Sequence, residues 1–156
     1  MLERRQRHLI RRAYDLASPL PAGRWLFSRF LGLYVPYSGT TGFVVEDMGD
    51  GHATVKMEER AGIRNHLDSI HAVALVNLGE LATGLAIHST LPAQGRAILR
   101  RLSAEYLKKA RGKVVARCEV SLPSESGKHD VEATATLKDG AGEVVTIVTA
   151  LWRVQL

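Results

Sequence analysis

One stretch decides the fold of this 156-residue chain: Ser69-Ile-His-Ala-Val-Ala-Leu-Val-Asn-Leu-Gly-Glu80-Leu-Ala-Thr-Gly-Leu-Ala-Ile-His88. Its alanines, valines and leucines point in every direction around a helix, which predicts a helix over about 69–91 that is buried on most sides and stopped by Pro92. An ionised carboxylate is costly to bury without a partner, so Glu80, the single acidic residue of this stretch, needs a compensating role. Catalysis is the first candidate for that role.

Strand patterns flank this helix on both sides. Before it, alternating apolar residues around Gly49-Asp50-Gly51 predict a β-hairpin. After it, four strands are predicted at roughly 96–108, 113–122, 129–138 and 143–154. Two strands, one long apolar helix and four strands predict an α+β fold, in which a curved antiparallel sheet wraps around the central helix.

Two further helices are predicted ahead of the sheet. They span 3–17 and about 22–34 and are separated by Ser18-Pro19-Leu20-Pro21. We therefore predict a helical extension over residues 1–38 and one folded domain over residues 39–156. The aromatic residues of the second helix either bury it against the sheet or cover a ligand tunnel; they include Trp25, Phe27 and Phe30.

The positive charge of the chain is confined to its start. Residues 1–30 contain seven arginines against two acidic residues, whereas the rest carries equal numbers of basic and acidic side chains. No motif or interleaved aromatic set favours nucleic-acid binding. A solvated helix, a partner-facing helix and a helix on a membrane surface all fit the pattern. No other sequence feature supports membrane contact.

Composition excludes several kinds of chemistry. Cys118 is the only cysteine, so neither a disulfide nor a cysteine metal site forms within one chain. His52, His88 and His129 lack metal-ligand spacing, and we expect no metal and no cofactor. No secretory signal is evident, because the basic start is not followed by a suitable apolar stretch. A cytoplasmic protein is the expectation.

The order of elements resembles the hotdog fold, and a local motif narrows the resemblance. Asn65 lies six residues before His71, and Glu80 lies nine residues after it. This spacing is similar to that of the PaaI-type acyl-CoA thioesterases, in which an Asn precedes a His-Gly-Gly and an acid follows it. His71-Ala72-Val73 stands here in place of His-Gly-Gly. The resemblance extends over about 39–154, and the preceding helices are similar to an uncharacterised branch in which Glu commonly replaces Asp.

The resemblance implies a cofactor-free thioesterase acting on acyl-CoA or acyl carrier protein, and physical reasoning suggests a role for each residue. The N–H of Ala72 lies at a helix N-terminus, where it can polarise a thioester carbonyl. Glu80 serves as general base or direct nucleophile. Asn65 is suited to hold the water or the carbonyl. His71 organises the start of the helix.

The separation of these groups predicts an oligomer. Ala72 and Glu80 are eight residues apart, which corresponds to about 12 Å along a helix. One carbonyl cannot touch both within one chain, so the site would combine Ala72 of one subunit with Glu80 of another. We expect a homodimer or a dimer of dimers.

A basic cluster follows the first strand after the helix. Lys108, Lys109 and Arg111 are either a solvated sheet edge or the residues that hold the phosphates of coenzyme A. Two other functions stay open. The fourteen-residue spacing of His66 and Glu80 resembles the His–Glu pair of hotdog dehydratases. A non-catalytic acyl-CoA-binding protein is the other alternative.

Overall fold

The computed structural model describes the backbone of residues 2–156 and the side chains from Ile10 onward. The helices are α1 (Leu2–Ala17), α2 (Gly23–Tyr34), α3 (Pro36–Gly39) and α4 (Ala72–Thr90). The strands are β1 (Val44–Gly49), β2 (His52–Glu58), β3 (Arg96–Tyr106), β4 (Lys113–Glu119), β5 (Lys128–Asp139) and β6 (Val144–Gln155). Every predicted helix and strand is present in the predicted order, and the described chain also contains α3 and a short 3-10 helix at Ala61–Ile63.

The six strands form a single antiparallel sheet in the order β1-β2-β4-β5-β6-β3. α4 packs against all six strands, so the sheet wraps around the helix as the sequence predicts. Close approach is possible because α4 has glycine where it meets the sheet: a Cβ at Gly79 would lie 2.5 Å from the Cβ of Val148 in β6. β1 and β3 are the two edge strands.

The central helix α4 is an interior helix. It starts at Ala72, three residues later than predicted, because His71 has extended backbone and caps the helix. Its length and hydropathy would allow it to cross a membrane, but two-thirds of the apolar window, 67%, is buried inside the fold. α4 is therefore the core helix of a soluble globular domain.

The N-terminal helices share the core of the sheet. Tyr14 of α1 meets Phe27 of α2 edge to face, with ring centroids 5.1 Å apart. The Ser28 hydroxyl of α2 accepts a 2.8 Å hydrogen bond from the Val45 N–H of β1. Phe27 is thus the buried aromatic residue through which α2 packs onto the rest of the fold, whereas Trp25 and Phe30 face solvent in the single chain. The predicted domain boundary after residue 38 stays a prediction.

Candidate functional site

The first turn of α4 leaves one backbone donor free. The Nδ1 atom of His71 accepts a 3.1 Å hydrogen bond from the Val73 N–H. The carbonyl of His71 accepts from Ala74 and Leu75, which uses the next two donors. The N–H of Ala72 has no acceptor among the residues that the structure describes. His71 therefore caps the helix, as predicted, and Ala72 presents the donor that a bound oxyanion would meet.

Asn65 organises the loop that leads into α4. Its Oδ1 atom accepts hydrogen bonds from the Leu67 N–H at 2.9 Å, the Ser69 N–H at 3.3 Å and the Ser69 hydroxyl at 3.1 Å. Since these backbone donors identify the oxygen, the orientation of the amide is defined. The oxygen is thus committed to the loop, and the NH₂ group is the part of Asn65 that can serve a ligand.

The basic segment after β3 lies beside the same helix start. The Ile70 N–H donates to the Ala110 carbonyl at 2.9 Å, and the Tyr106 hydroxyl donates to the Ala72 carbonyl at 3.2 Å. Arg111 donates from Nε to the Asp68 carbonyl at 2.8 Å. Arg111 therefore braces the loop, while its guanidinium stays exposed.

The two lysines of this segment differ in their partners. The Lys108 ammonium pairs with both Glu143 and Asp139, the latter at 3.4 Å. Lys109 is exposed and forms no ion pair within the part of the chain that the structure describes. Of the two lysines, Lys109 is thus the one whose charge is not already paired with a carboxylate.

Glu80 lies two turns further along α4, away from this cluster. Its carboxylate has no hydrogen-bond partner in the described part of the protein, and burial alone raises its pKa above the ordinary glutamate value. The side chain borders a half-open cavity of about 290 Å³ that is lined by residues of the sheet, α4 and the N-terminal helices. A glutamate in such surroundings holds a proton more readily than usual, which suits a general base that works near neutral pH.

One stripe of α4 is not covered by the sheet. Val73 is 52% exposed, and Val76 and Glu80, one and two turns further on, are partly exposed. The open edge of β3 adds a second uncovered apolar surface, with Ile98 65% exposed. Exposed apolar side chains, such as those beside the carboxylate in this stripe, are typical of surfaces that a partner covers. The same is true of an unpaired strand edge.

The remaining predicted candidates lie apart from this site or carry no reactive group. His66 is exposed in the loop before α4. Burial raises the pKa of the Cys118 thiol to about 11, so it is not a nucleophile at neutral pH. No cluster of metal-ligating side chains occurs among the described residues.

The residues that build the cavity beside Glu80 were not identified from the sequence. They come from α1, α2, α3, β1 and β6, and include Ile10, Leu31, Val35, Met48 and Trp152. Each is an ordinary apolar residue in its own segment, and only the packing of distant elements brings them together. Trp25, Phe27 and Phe30, the aromatic residues that the sequence offered as a tunnel cover, do not line this cavity.

Comparison with known proteins identifies the class of fold and then the family. Residues 23–154 match the family described as a domain of unknown function, DUF4442, and the chain belongs to it. A structural-genomics target named APC5556 is 24% identical with a TM-score of 0.82, and the alignment covers 94% of this chain and 98% of that one. No curated protein matches the sequence.

Two further structures carry a functional description. A Pseudomonas aeruginosa protein called a probable thioesterase is 24% identical with a TM-score of 0.76, covering 87% of this chain and 96% of its own. A Staphylococcus aureus thioesterase is 16% identical with a TM-score of 0.69, covering 78% and 99%. At these identities the likeness establishes the hotdog fold, and with it the predicted architecture.

Proposed function

We propose that the protein is a thioesterase that hydrolyses acyl-CoA thioesters. The observation that carries this proposal is the half-buried, unpartnered Glu80 carboxylate at the wall of a mainly apolar cavity, on the same helix as the free N–H of Ala72. The similar structures from Pseudomonas and Staphylococcus, which are described as thioesterases, support the same chemistry.

The proposed reaction uses two groups, a hydrogen-bond donor that polarises the thioester carbonyl and a carboxylate that acts as the base. The Ala72 N–H, aided by the helix dipole, binds the thioester carbonyl oxygen, and the NH₂ group of Asn65 donates to the same oxygen or to the attacking water. Glu80 removes a proton from that water, which attacks the carbonyl carbon and moves the C=O electron pair onto oxygen. When the tetrahedral intermediate collapses, the C–S bond breaks and protonated Glu80 returns the proton to the coenzyme A thiolate.

A direct attack by Glu80 on the carbonyl is the other route that the geometry permits. It would expel the thiolate and form a mixed anhydride, which water would then cleave to the free acid and regenerate Glu80. Transfer of ¹⁸O from labelled water into the Glu80 carboxylate under single-turnover conditions would establish this route, because general-base catalysis places the label only in the product acid.

Both routes require two subunits in this proposal. Ala72 and Glu80 are about 12 Å apart along α4, so one carbonyl meets both only where two α4 helices pack antiparallel around a two-fold axis. The uncovered stripe of Val73, Val76 and Glu80 and the open edge of β3 support such a homodimer. A dimer of dimers satisfies the same requirement.

Recognition of coenzyme A is assigned to the basic segment beside the helix start. Lys109 is the available cation, while Arg111 positions the loop and Lys108 is held by Asp139 and Glu143. An acidic acyl carrier protein would suit the same segment. A substrate of this kind also fits the proposed location in the cytoplasm.

The test is release of free thiol from acyl-CoA esters of increasing length, with native protein and Glu80→Gln. The variant keeps the size of the side chain and removes the base, so we expect turnover to fall by about 10²–10⁴-fold. Equal rates in the two proteins would exclude Glu80 as the base. Tight acyl-CoA binding without turnover in the native protein would favour the non-catalytic alternative. Its supporting feature is the exposed Val73, which stands where the resembled motif has glycine.

A further inference from the structure

The cavity beside Glu80 has a defined shape and size. It runs along α4 from Glu80 past Gly84 to His88, which is eight residues and about 12 Å along the axis. Its volume is about 290 Å³. Its walls are mainly apolar. The apolar lining residues outside α4 are Ile10, Leu31, Tyr34, Val35, Met48 and Trp152, and the polar ones there are Arg11 and Ser38.

The side of the cavity next to the sheet is rigid. The Trp152 indole N–H donates to the Thr83 hydroxyl at 3.3 Å, and the Trp152 ring meets His88 edge to face at a centroid distance of 6.2 Å. Gly84 faces this ring so closely that a Cβ there would lie 3.3 Å from the indole. The absence of a side chain at Gly84 therefore lets the Trp152 ring pack directly against α4 and form one wall of the cavity.

The far end of the cavity is polar. Arg11, His88 and Ser89 line it together, and the Ser89 hydroxyl accepts a hydrogen bond from the Gly51 N–H of the β1–β2 turn at 3.0 Å. An apolar chain that enters beside Glu80 would thus meet charged and hydrogen-bonding groups after two helical turns. Extending further would place methylene groups against polar atoms, which is unfavourable.

We propose that this cavity binds the acyl chain of the substrate, and that α1 to α3 limit the chain to medium length. The inference rests on the proposed thioesterase function. At about 30 Å³ for a group the size of a water molecule or a methylene, the cavity holds about ten such groups. The 12 Å between Glu80 and His88 is the extended length of a chain with about that many carbons.

The chain provides its own reporter for this binding. Trp25 and Trp152 are the only tryptophans, and Trp25 lies on the exposed side of α2, outside this cavity. In the Trp25→Phe, Glu80→Gln double variant, Trp152 is the sole fluorophore and hydrolysis is removed. We would titrate this protein with acyl-CoA esters that carry bromine on the acyl chain, which quenches indole fluorescence on contact.

The expected result is saturable quenching by bromodecanoyl-CoA and weaker binding of bromobutanoyl-CoA. A Val35→Phe change would fill the cavity and weaken decanoyl binding by about tenfold. Leu33→Phe adds a phenyl group two residues away, at a side chain that is 79% exposed and outside this cavity, and serves as the matched control. We expect it to leave binding unchanged.

The outcomes separate this inference from the proposed function. Quenching that depends on chain length and on Val35 supports the cavity as the acyl site, even if no thioester is hydrolysed. Hydrolysis by the native protein together with no quenching of Trp152, or with equal effects of Val35→Phe and Leu33→Phe, would overturn the acyl-site inference while leaving the thioesterase intact.

Discussion

The free N–H of Ala72 and the unpartnered carboxylate of Glu80 lie on one helix, eight residues apart. No described residue of the chain forms hydrogen bonds to both groups. Eight residues place these two groups about 12 Å apart along the axis. In a single chain, therefore, the proposed electrophilic and basic groups are both present but separated. A two-fold partner is the simplest way to bring them to one substrate.

This relationship predicts complementation between two inactive variants. Ala72→Pro removes only the N–H, because proline is accepted in the first turn of a helix and His71 already has the extended backbone that precedes proline. Glu80→Gln removes the base. In a mixed dimer one site regains both groups, so exchanging subunits at equal concentrations should restore about a quarter of native activity. Sites contained within single chains would give no recovery.

The surface stripe of α4 predicts the oligomer itself. Val73→Glu places a negative charge in the uncovered stripe. In the proposed antiparallel pair this charge lies beside the carboxylate of the partner subunit's Glu80, so the two charges repel and the dimer should dissociate with loss of activity. Light scattering after size exclusion measures the mass directly. Leu33→Glu, at an exposed apolar residue outside both the stripe and the cavity, is the control that should stay dimeric and active. An active monomer of Val73→Glu would contradict the shared site.

The raised pKa of Glu80 predicts how activity depends on pH. A general base acts in its ionised form, so kcat/KM should rise with pH through a value above the ordinary range of glutamate. In Glu80→Asp the carboxylate stays ionisable, so kcat/KM should still rise with pH in a sigmoidal curve, at lower activity. In Glu80→Gln this rise of kcat/KM with pH should be absent. A profile that is flat from pH 4 to pH 9 would argue against Glu80 as base.

The same pKa predicts how stability depends on pH. The folded protein holds the Glu80 proton at pH values where the unfolded chain has released it. Protonation of Glu80 therefore contributes to the free energy of unfolding below the ordinary glutamate pKa, and this contribution is lost as the pH rises through the raised pKa of the folded protein. Glu80→Gln should therefore gain in melting temperature relative to native protein as the pH rises. The exposed Glu58→Gln serves as the control, and a gain that does not change with pH would be inconsistent with a raised pKa of Glu80.

The contacts of Asn65 predict that its two amide atoms have separable roles. Asn65→Ala loses three hydrogen bonds in the loop and should reduce the free energy of unfolding by about 2 kcal/mol, measured in urea. Asn65→Asp keeps the accepting oxygen, so its stability should be close to native. If the NH₂ group donates to the reacting carbonyl, kcat of Asn65→Asp should still fall on the order of a hundredfold. Native kcat in this variant would limit Asn65 to organising the loop.

The ion pairs of the basic segment predict which lysine binds coenzyme A. Lys109→Ala should raise KM for acyl-CoA by about fivefold, as expected for one exposed charge pair, and the effect should shrink with added salt. Lys108 is already neutralised by Glu143 and Asp139, so Lys108→Ala should change KM less. Lys128→Ala, at the start of β5, is a control for overall charge. A larger effect of Lys108 than of Lys109 would contradict the assignment.

Much of the architecture follows from local patterns in the chain. The six strands and the long central helix are all visible as alternation or as an unbroken apolar run, since period and burial are properties of neighbouring residues. The starts and ends of elements are less visible. α4 begins at Ala72 rather than Ser69 because Asn65 and His71 engage the intervening backbone in a loop, which depends on their side-chain hydrogen bonds.

By itself, then, the sequence determined the hotdog architecture and singled out Glu80, because an isolated carboxylate in an apolar helix is visible without coordinates. Only the tertiary structure decided which groups are available. It placed Asp68 against Arg111, two carboxylates against Lys108, and Trp152 and Val35 in one cavity wall. These contacts join residues that are far apart in the chain, and no local period or spacing encodes them.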